Sequence, residues 1–419
     1  MSELVVDLVE HARPVHRQLP DVVGRALVAS RIIDATPDPY VPGQWVLRAG
    51  SKVGTVAMTV PGQEPVRVIL RISPKVPVGR LFFLLGYSLD PRGWRNGDVK
   101  VGEYRQLVPA VAHALERQVE RALGKGLLQG YRAIEETSLV VRGRIREADQ
   151  IRRRFGAALP IETAYDDFTT DIAENQLLRS AVDRVLCLPG VPRQVRGRLL
   201  HQRNRLGAVT PLIRGQRLPD WQPHRLNSRY HQALHLARAI LTGSSAEHSS
   251  GALHVQGFLF DMNKVFEDFV CTALREALLP YGGYGSLQAQ GVHLDEAAAI
   301  RMRPDFVWYG ERGRPLAVAD AKYKAEKPSG YPEADLYQML AYCTALHLAE
   351  GHLLYAKGNA PHARHRVRHA GITLHQHVLD LAGEPDALLC AVSDLARRLA
   401  EPHRPVEGIP PGAGPGFHD

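Results

Sequence analysis

The stretch Arg303-Pro304-Asp305-Phe306-Val307-Trp308-Tyr309, a turn at Gly310-Glu311-Arg312-Gly313-Arg314, and the return run Leu316-Ala317-Val318-Ala319-Asp320-Ala321-Lys322 decide how the last third of this chain folds. Two apolar runs flanking a five-residue polar turn predict a β-hairpin. Side chains alternate along a strand, so Asp320 and Lys322 share a face and Ala321 points away. On the antiparallel partner, Asp305 falls near that same face. Two carboxylates and one ammonium then converge at one end of a sheet. Charge at the end of an apolar strand is costly unless it is paired or bound to a metal. Such a set suits metal-assisted phosphodiester hydrolysis. Carboxylates hold a hard divalent cation, which polarises the phosphate and lowers the pKa of a bound water. The lysine orients that water or neutralises charge developing on the phosphate. Nearly all other basic residues are arginine, yet Lys322, Lys324 and Lys327 cluster here. Lys324, one pair further along the same face, suits a phosphate contact.

The flanking segments extend the pattern. Met262, Phe266, Phe269, Val270, Leu274 and Leu278 form one apolar stripe, which predicts a helix over residues 258–279, stopped by Pro280 and two glycines. A weak strand is expected at 286–294. Pro332 opens a second helix, about 332–349. A strand at 352–356, another near 371–381 and a final helix near 384–400 complete the order helix, three strands, helix, strand, with appended elements.

In this order the motifs resemble the PD-(D/E)xK nuclease superfamily, the restriction-endonuclease-like fold. Gln338-Met339-Leu340-Ala341-Tyr342 matches the Q-x-x-x-Y element of its RecB-like branch, two side chains four apart on one helical face. Glu267, in Asn263-Lys264-Val265-Phe266-Glu267-Asp268-Phe269-Val270, matches the glutamate that often joins the metal site. More narrowly, the chain resembles the McrC family, nuclease subunits of McrBC-type 5-methylcytosine restriction systems. Weaker matches lie at Ile72-Ser73-Pro74-Lys75-Val76, Arg142-Gly143-Arg144-Ile145 and Tyr165-Asp166-Asp167-Phe168-Thr169. The resemblance implies a Mg²⁺-dependent DNA endonuclease, with Mn²⁺ able to substitute, in which Asp305, Asp320, the Ala321 carbonyl and Glu267 bind the metal. It implies that Lys322 positions the attacking water, with Gln338 and Tyr342 in support. It also implies a partner, an AAA+ GTPase subunit resembling McrB. Two other readings fit the same residues: a RecB-like repair or defence nuclease working with a different motor, and a non-catalytic DNA-binding scaffold.

Composition is compatible with this. At 419 residues the chain is long enough for two or three domains. A net charge of +8 and a pI near 9.3 suit a polyanionic partner. Arginines concentrate at 142–154 and 193–205, and Arg142, Arg144, Arg196 and Arg198 are candidate DNA phosphate contacts. The four cysteines are widely spaced and read as buried small hydrophobes in a reducing, cytoplasmic setting. No run of 18 apolar residues suggests a membrane span. His362, His365 and His369 lack accompanying cysteines and read as part of a basic exposed loop, not a zinc site. No G-x-x-x-x-G-K-[ST] phosphate loop occurs, so nucleotide hydrolysis would fall to another chain.

The expected architecture is a multidomain α+β or α/β protein. Residues 1–100 read as a β-rich, partner-binding domain. Residues 101–242 read as a mostly helical middle with one strand near 138–145. Residues 243–402 read as the nuclease domain, a mixed sheet flanked by helices. Gly243–Gly251, small and polar, is the best linker candidate, and residues 403–419, rich in Pro and Gly, read as a disordered tail.

Overall fold

The computed structural model describes residues 2–61, 65–91, 106–155, 157–213, 215–242, 254–323, 333–356 and 362–401. The Gly243–Gly251 segment, Lys324, Lys327, Pro332 and the tail from 403 lie outside the described residues. The chain divides into two compact units, Met1–Met262 and Asn263–Asp419. Among the described residues, no helix is long and apolar enough to cross a membrane.

The first unit opens with β1 (Ser2–Val9), β2 (Val15–Gln18), α1 (Asp21–Ser30), β3 (Asp34–Pro37), β4 (Gln44–Arg48), β5 (Lys52–Val60), β6 (Val66–Ser73) and α2 (Val78–Leu89). It continues with α3 (Leu107–Leu123), β7 (Gly130–Ser138), β8 (Arg144–Ile145), α4 (Glu147–Arg154), β9 (Ile161–Thr169), α5 (Ala173–Leu186), α6 (Arg193–Arg205), α7 (His231–Thr242) and β10 (His254–Asp261). Its main sheet has the order β1-β6-β5-β10, with β1 parallel to β6 and the other pairs antiparallel. β5 is interior to this sheet and nearly all buried, as its apolar run requires. Gly54 lets β10 approach: a Cβ there would stand 2.0 Å from the Phe258 carbonyl oxygen.

Two expectations fail in this unit. The helix expected from residue 258 begins only at Met262, because Leu259, Phe260 and Asp261 are ladder residues of β10 paired with Gly54, Val53 and Lys52. Long-range pairing overrides the local helical stripe. The unit boundary accordingly falls after β10 and not in the Gly243–Gly251 segment. The middle region is also less helical than expected, since β7 and β9 pair over nine residues each and β8 joins them. β7 has one exposed face and one that is only half-buried and largely polar, so no apolar alternation marks it in the sequence.

The second unit begins on α8 (Met262–Leu278), followed by β11 (Tyr284–Leu287), β12 (Val292–His293), β13 (Arg301–Met302), β14 (Phe306–Tyr309) and β15 (Pro315–Lys322). Then come α9 (Glu333–Leu346), β16 (Glu350–Tyr355), β17 (His362–Arg366), β18 (Thr373–Val378) and α10 (Pro385–Ala400). The sheet order is β11-β14-β15-β16-β18-β17. β14 and β15 form the expected antiparallel hairpin, while β16 and β18 run parallel to β15. The parallel step from β15 to β16 needs a crossover, which α9 supplies. Glu333 and Asp335 in its first turn suit the helix dipole. Met339, Tyr342 and Cys343 of α9 pack on Val307, Val318, Leu353 and Tyr355. The other face of β15 carries Ala317 and Ala319, both buried.

The histidine-rich stretch is only partly a loop, with His369 in a turn. His362–Arg366 is the edge strand β17, paired with β18. Cys271 and Cys343 are buried as expected, but Cys187 and Cys390 are exposed, and none forms a disulfide.

Gly351 marks where α9 comes closest to the sheet, since an added Cβ would lie 2.4 Å from the Cys343 sulfur and 2.7 Å from Met339. Gly351→Ala is therefore expected to destabilise the protein by about 1–3 kcal/mol through overpacking. Adding Cys343→Ala should recover part of that loss. Urea midpoints of the two single variants and the double variant check this, and strict additivity would contradict it.

Candidate active site

The site is built where β14 and β15 end. Phe306 pairs with Ala319, so Asp305, just before β14, stands opposite Asp320 of β15. One Asp305 carboxylate oxygen accepts a 2.9 Å hydrogen bond from the Ala321 backbone N–H, which ties the start of one strand to the end of the other. Asp320 is 2% exposed. Its Oδ2 lies 2.5 Å from the Lys322 ammonium. That ion pair is the contact made by this buried oxygen.

The lysine is held from the opposite side by α9. Lys322 Nζ donates to Gln338 Oε1 at 3.1 Å, Gln338 Nε2 donates to the Tyr342 hydroxyl at 2.8 Å, and that hydroxyl donates to the Arg303 carbonyl at 3.2 Å. The spacing of four residues thus aligns both side chains in one relay. The relay runs from the ammonium back to the residue two before Asp305.

The electrostatics follow from burial and crowding. Burial, then the neighbouring Asp320 charge, pushes the Asp305 carboxyl up to about 8, with Glu267 adding to it and the Ala321 N–H opposing it. Burial works against the Lys322 ammonium, but the charge and hydrogen bond of Asp320, helped by Asp305 and Asp335, outweigh it and hold the lysine above its usual value. Burial and the charges of Asp320 and Asp305 push the Tyr342 phenol up. Cys271, whose thiol lies 3.4 Å from the Asp305 carbonyl, is likewise held as a thiol by burial and by the surrounding carboxylates. Two acids with one lysine is a cluster short of positive charge.

A hard divalent cation fits that deficit. The donors are oxygens, and the two buried carboxyl groups have one ammonium between them. Among the described residues, no group of three or more His, Cys, Asp or Glu side chains is gathered to hold a metal. A third protein ligand would therefore come from the main chain, as with the Ala321 carbonyl. Glu267, in α8, stands near enough for its charge to act on Asp305, and it is held through Gln288, whose amide nitrogen donates to Glu267 Oε1 at 2.5 Å. Gln288 carries no motif signal and was not visible in the sequence. Lys324 lies outside the described residues.

The four arginines proposed for DNA belong to the other unit. Arg142 and Arg144 are exposed, Arg144 in β8. Arg196 turns inward and donates to the carbonyls of Leu186 at 2.7 Å and Leu188 at 3.2 Å. Arg198 pairs with Glu116 at 3.5 Å.

Among solved structures, the chain is similar to one in a refined half-complex from a tetradecameric assembly of Thermococcus gammatolerans McrB AAA+ hexamers with bound McrC. The TM-score is 0.57 at 16% identity, covering 94% of this chain and 100% of that one, a likeness of fold along nearly the full length. A second likeness, to the McrBC complex of the same organism, has a TM-score of 0.39 at 16% identity over 65% of this chain and 88% of that one, too low to carry an argument. No curated protein matches. The family described as McrBC 5-methylcytosine restriction system component matches residues 47–356, and the chain belongs to that family.

The Asp305 shift has a measurable consequence in metal-free protein. A carboxyl raised from 3.8 to about 8 on folding favours the folded state at low pH, and that stability is lost as pH rises through 8. In chelator, the wild type should therefore lose ground to Asp305→Asn between pH 5 and 8.5. Urea midpoints across that range test it, and a pH-independent difference would contradict it.

Proposed function

We propose that this chain is the McrC-type nuclease subunit of a modification-dependent restriction system, with a restriction-endonuclease-like second unit that hydrolyses DNA phosphodiester bonds. The observation that carries this reading is the convergence of Asp305, Asp320 and Lys322 at one sheet end, two crowded acids with one ammonium. Family membership points to the same system and disfavours a repair nuclease. A non-catalytic scaffold would have no reason to keep two acids crowded in a buried site, where like charges cost stability.

Asp305, Asp320 and the Ala321 carbonyl would hold Mg²⁺ or Mn²⁺, which when bound supplies Lewis acidity and an activated water. The protein's own residues do the rest. Lys322, placed by Asp320 on one side and Gln338 on the other, would offset charge developing on the scissile phosphate. Tyr342 fixes Gln338 and, through the Arg303 carbonyl, the approach of Asp305. Arg142 and Arg144, exposed on the first unit, are the better candidates for DNA phosphates, because Arg196 and Arg198 already have internal partners.

The related assembly contains McrB AAA+ hexamers, and a GTPase of that type is the proposed partner of this chain. The first unit is the proposed docking surface. Removing residues 1–100 is a poor test of docking, since it strips β1, β5 and β6 from a sheet whose fourth strand is β10. The test uses the full chain, mixed with a McrB-type AAA+ protein. Added chain should stimulate GTP hydrolysis, and a chain that neither binds nor stimulates that protein would remove the partner assignment.

For the chemistry, Asp320→Ala and Lys322→Ala should each lower cleavage of methylated DNA on the order of 10²–10³-fold or more while leaving partner binding intact. Mg²⁺ or Mn²⁺ should restore chelator-treated wild type, and Zn²⁺ should not, because the ligand set has no thiolate or imidazole. Full activity of either variant would sink the assignment.

A further inference from the structure

Gln288 stands immediately after β11 with a backbone φ of +45°, a left-handed conformation rarely adopted by a non-glycine residue. Such a residue persists only where its surroundings over-determine it. Here its backbone N–H and both ends of its side-chain amide are tied to the segments around the acidic site. Its backbone N–H donates to the Asp305 carbonyl at 2.7 Å, and the next N–H, of Ala289, donates to the Pro304 carbonyl at 3.0 Å. Its side-chain nitrogen donates to Glu267 Oε1 at 2.5 Å. Its side-chain oxygen accepts from the Arg303 guanidinium. One residue therefore joins α8 to the Arg303-Pro304-Asp305 segment, through both main chain and side chain.

We propose that Gln288 is a positioning residue for the divalent-cation site: it sets the direction of the Glu267 carboxylate and links it, through its amide, to the guanidinium of Arg303, in the segment that leads into Asp305. The inference rests on the metal reading given above and deepens it. The amide is the chemistry the position demands. It donates toward a carboxylate and accepts from a guanidinium at once, which neither a carboxylate nor an ammonium can do. Oriented this way, it gives Glu267 a neutral, donating neighbour and holds the Arg303 guanidinium at its other end. Partners that orient metal ligands in this way typically change metal affinity by about 10–100-fold when removed.

The backbone conformation supplies a clean test. Glycine adopts positive φ readily, so Gln288→Gly removes the side chain without straining the turn. The experiment is Mn²⁺ binding to the full-length chain, followed by the electron paramagnetic resonance of free Mn²⁺, with thermal unfolding measured in chelator. Gln288→Gly is expected to keep the wild-type unfolding temperature or exceed it while binding Mn²⁺ about 10-fold or more weakly. Gln288→Glu, which sets a second carboxylate against Glu267 and cannot donate, should also bind more weakly than wild type. A Gln288→Gly chain that binds Mn²⁺ within twofold of wild type would overturn this inference and leave the metal reading standing. A wild-type chain that binds no Mn²⁺ would overturn both.

Discussion

Two carboxylates, Asp305 and Asp320, are brought together at the end of a mixed sheet with a single ammonium to balance them. That crowding is the constraint on which the rest of the second unit depends. Like charges in a buried site repel, and burial raises the penalty further. The fold contains the penalty rather than relieving it. Asp305 shifts toward its protonated form, Lys322 is clamped against Asp320, and the Ala321 N–H faces Asp305. A fold optimised for stability alone would not place these groups there, and sites poised for chemistry commonly carry such perturbed acids.

The surrounding elements hold this arrangement from two sides. α9 covers one face of the sheet and reaches the lysine through Gln338 and Tyr342. Gly351 permits its close packing on β16, so the position of the relay depends on the absence of a side chain on a neighbouring strand. From the other direction, Gln288 and Arg303 connect α8 to the start of β14. The metal ligands would thus be positioned by hydrogen-bonded residues on rigid elements, which is how sites keep the sub-ångström placement that catalysis needs.

Much of this was legible in the sequence for a physical reason. The hairpin announces itself by two apolar runs around a Gly-rich turn, and alternation then assigns Asp320 and Lys322 to one face. Helical spacing similarly put Gln338 and Tyr342 together. What escaped was whatever depended on distant partners. β10 reads as the start of a helix because its pairing partner, β5, lies some two hundred residues earlier. β7 has no buried face to impose alternation. Arg196 looks like a phosphate ligand until the carbonyls of Leu186 and Leu188 are seen to occupy it. Gln288 owes its place to a left-handed turn and to three segments meeting in space, none of which leaves a local pattern.

The central claim is that the crowded acids are a divalent-cation site. Anomalous diffraction from Mn²⁺-loaded crystals of the full chain addresses it most directly. The account predicts a strong peak between the carboxylates of Asp305 and Asp320, within coordination distance of the Ala321 carbonyl. A peak elsewhere, or none at these acids under saturating Mn²⁺, would contradict it.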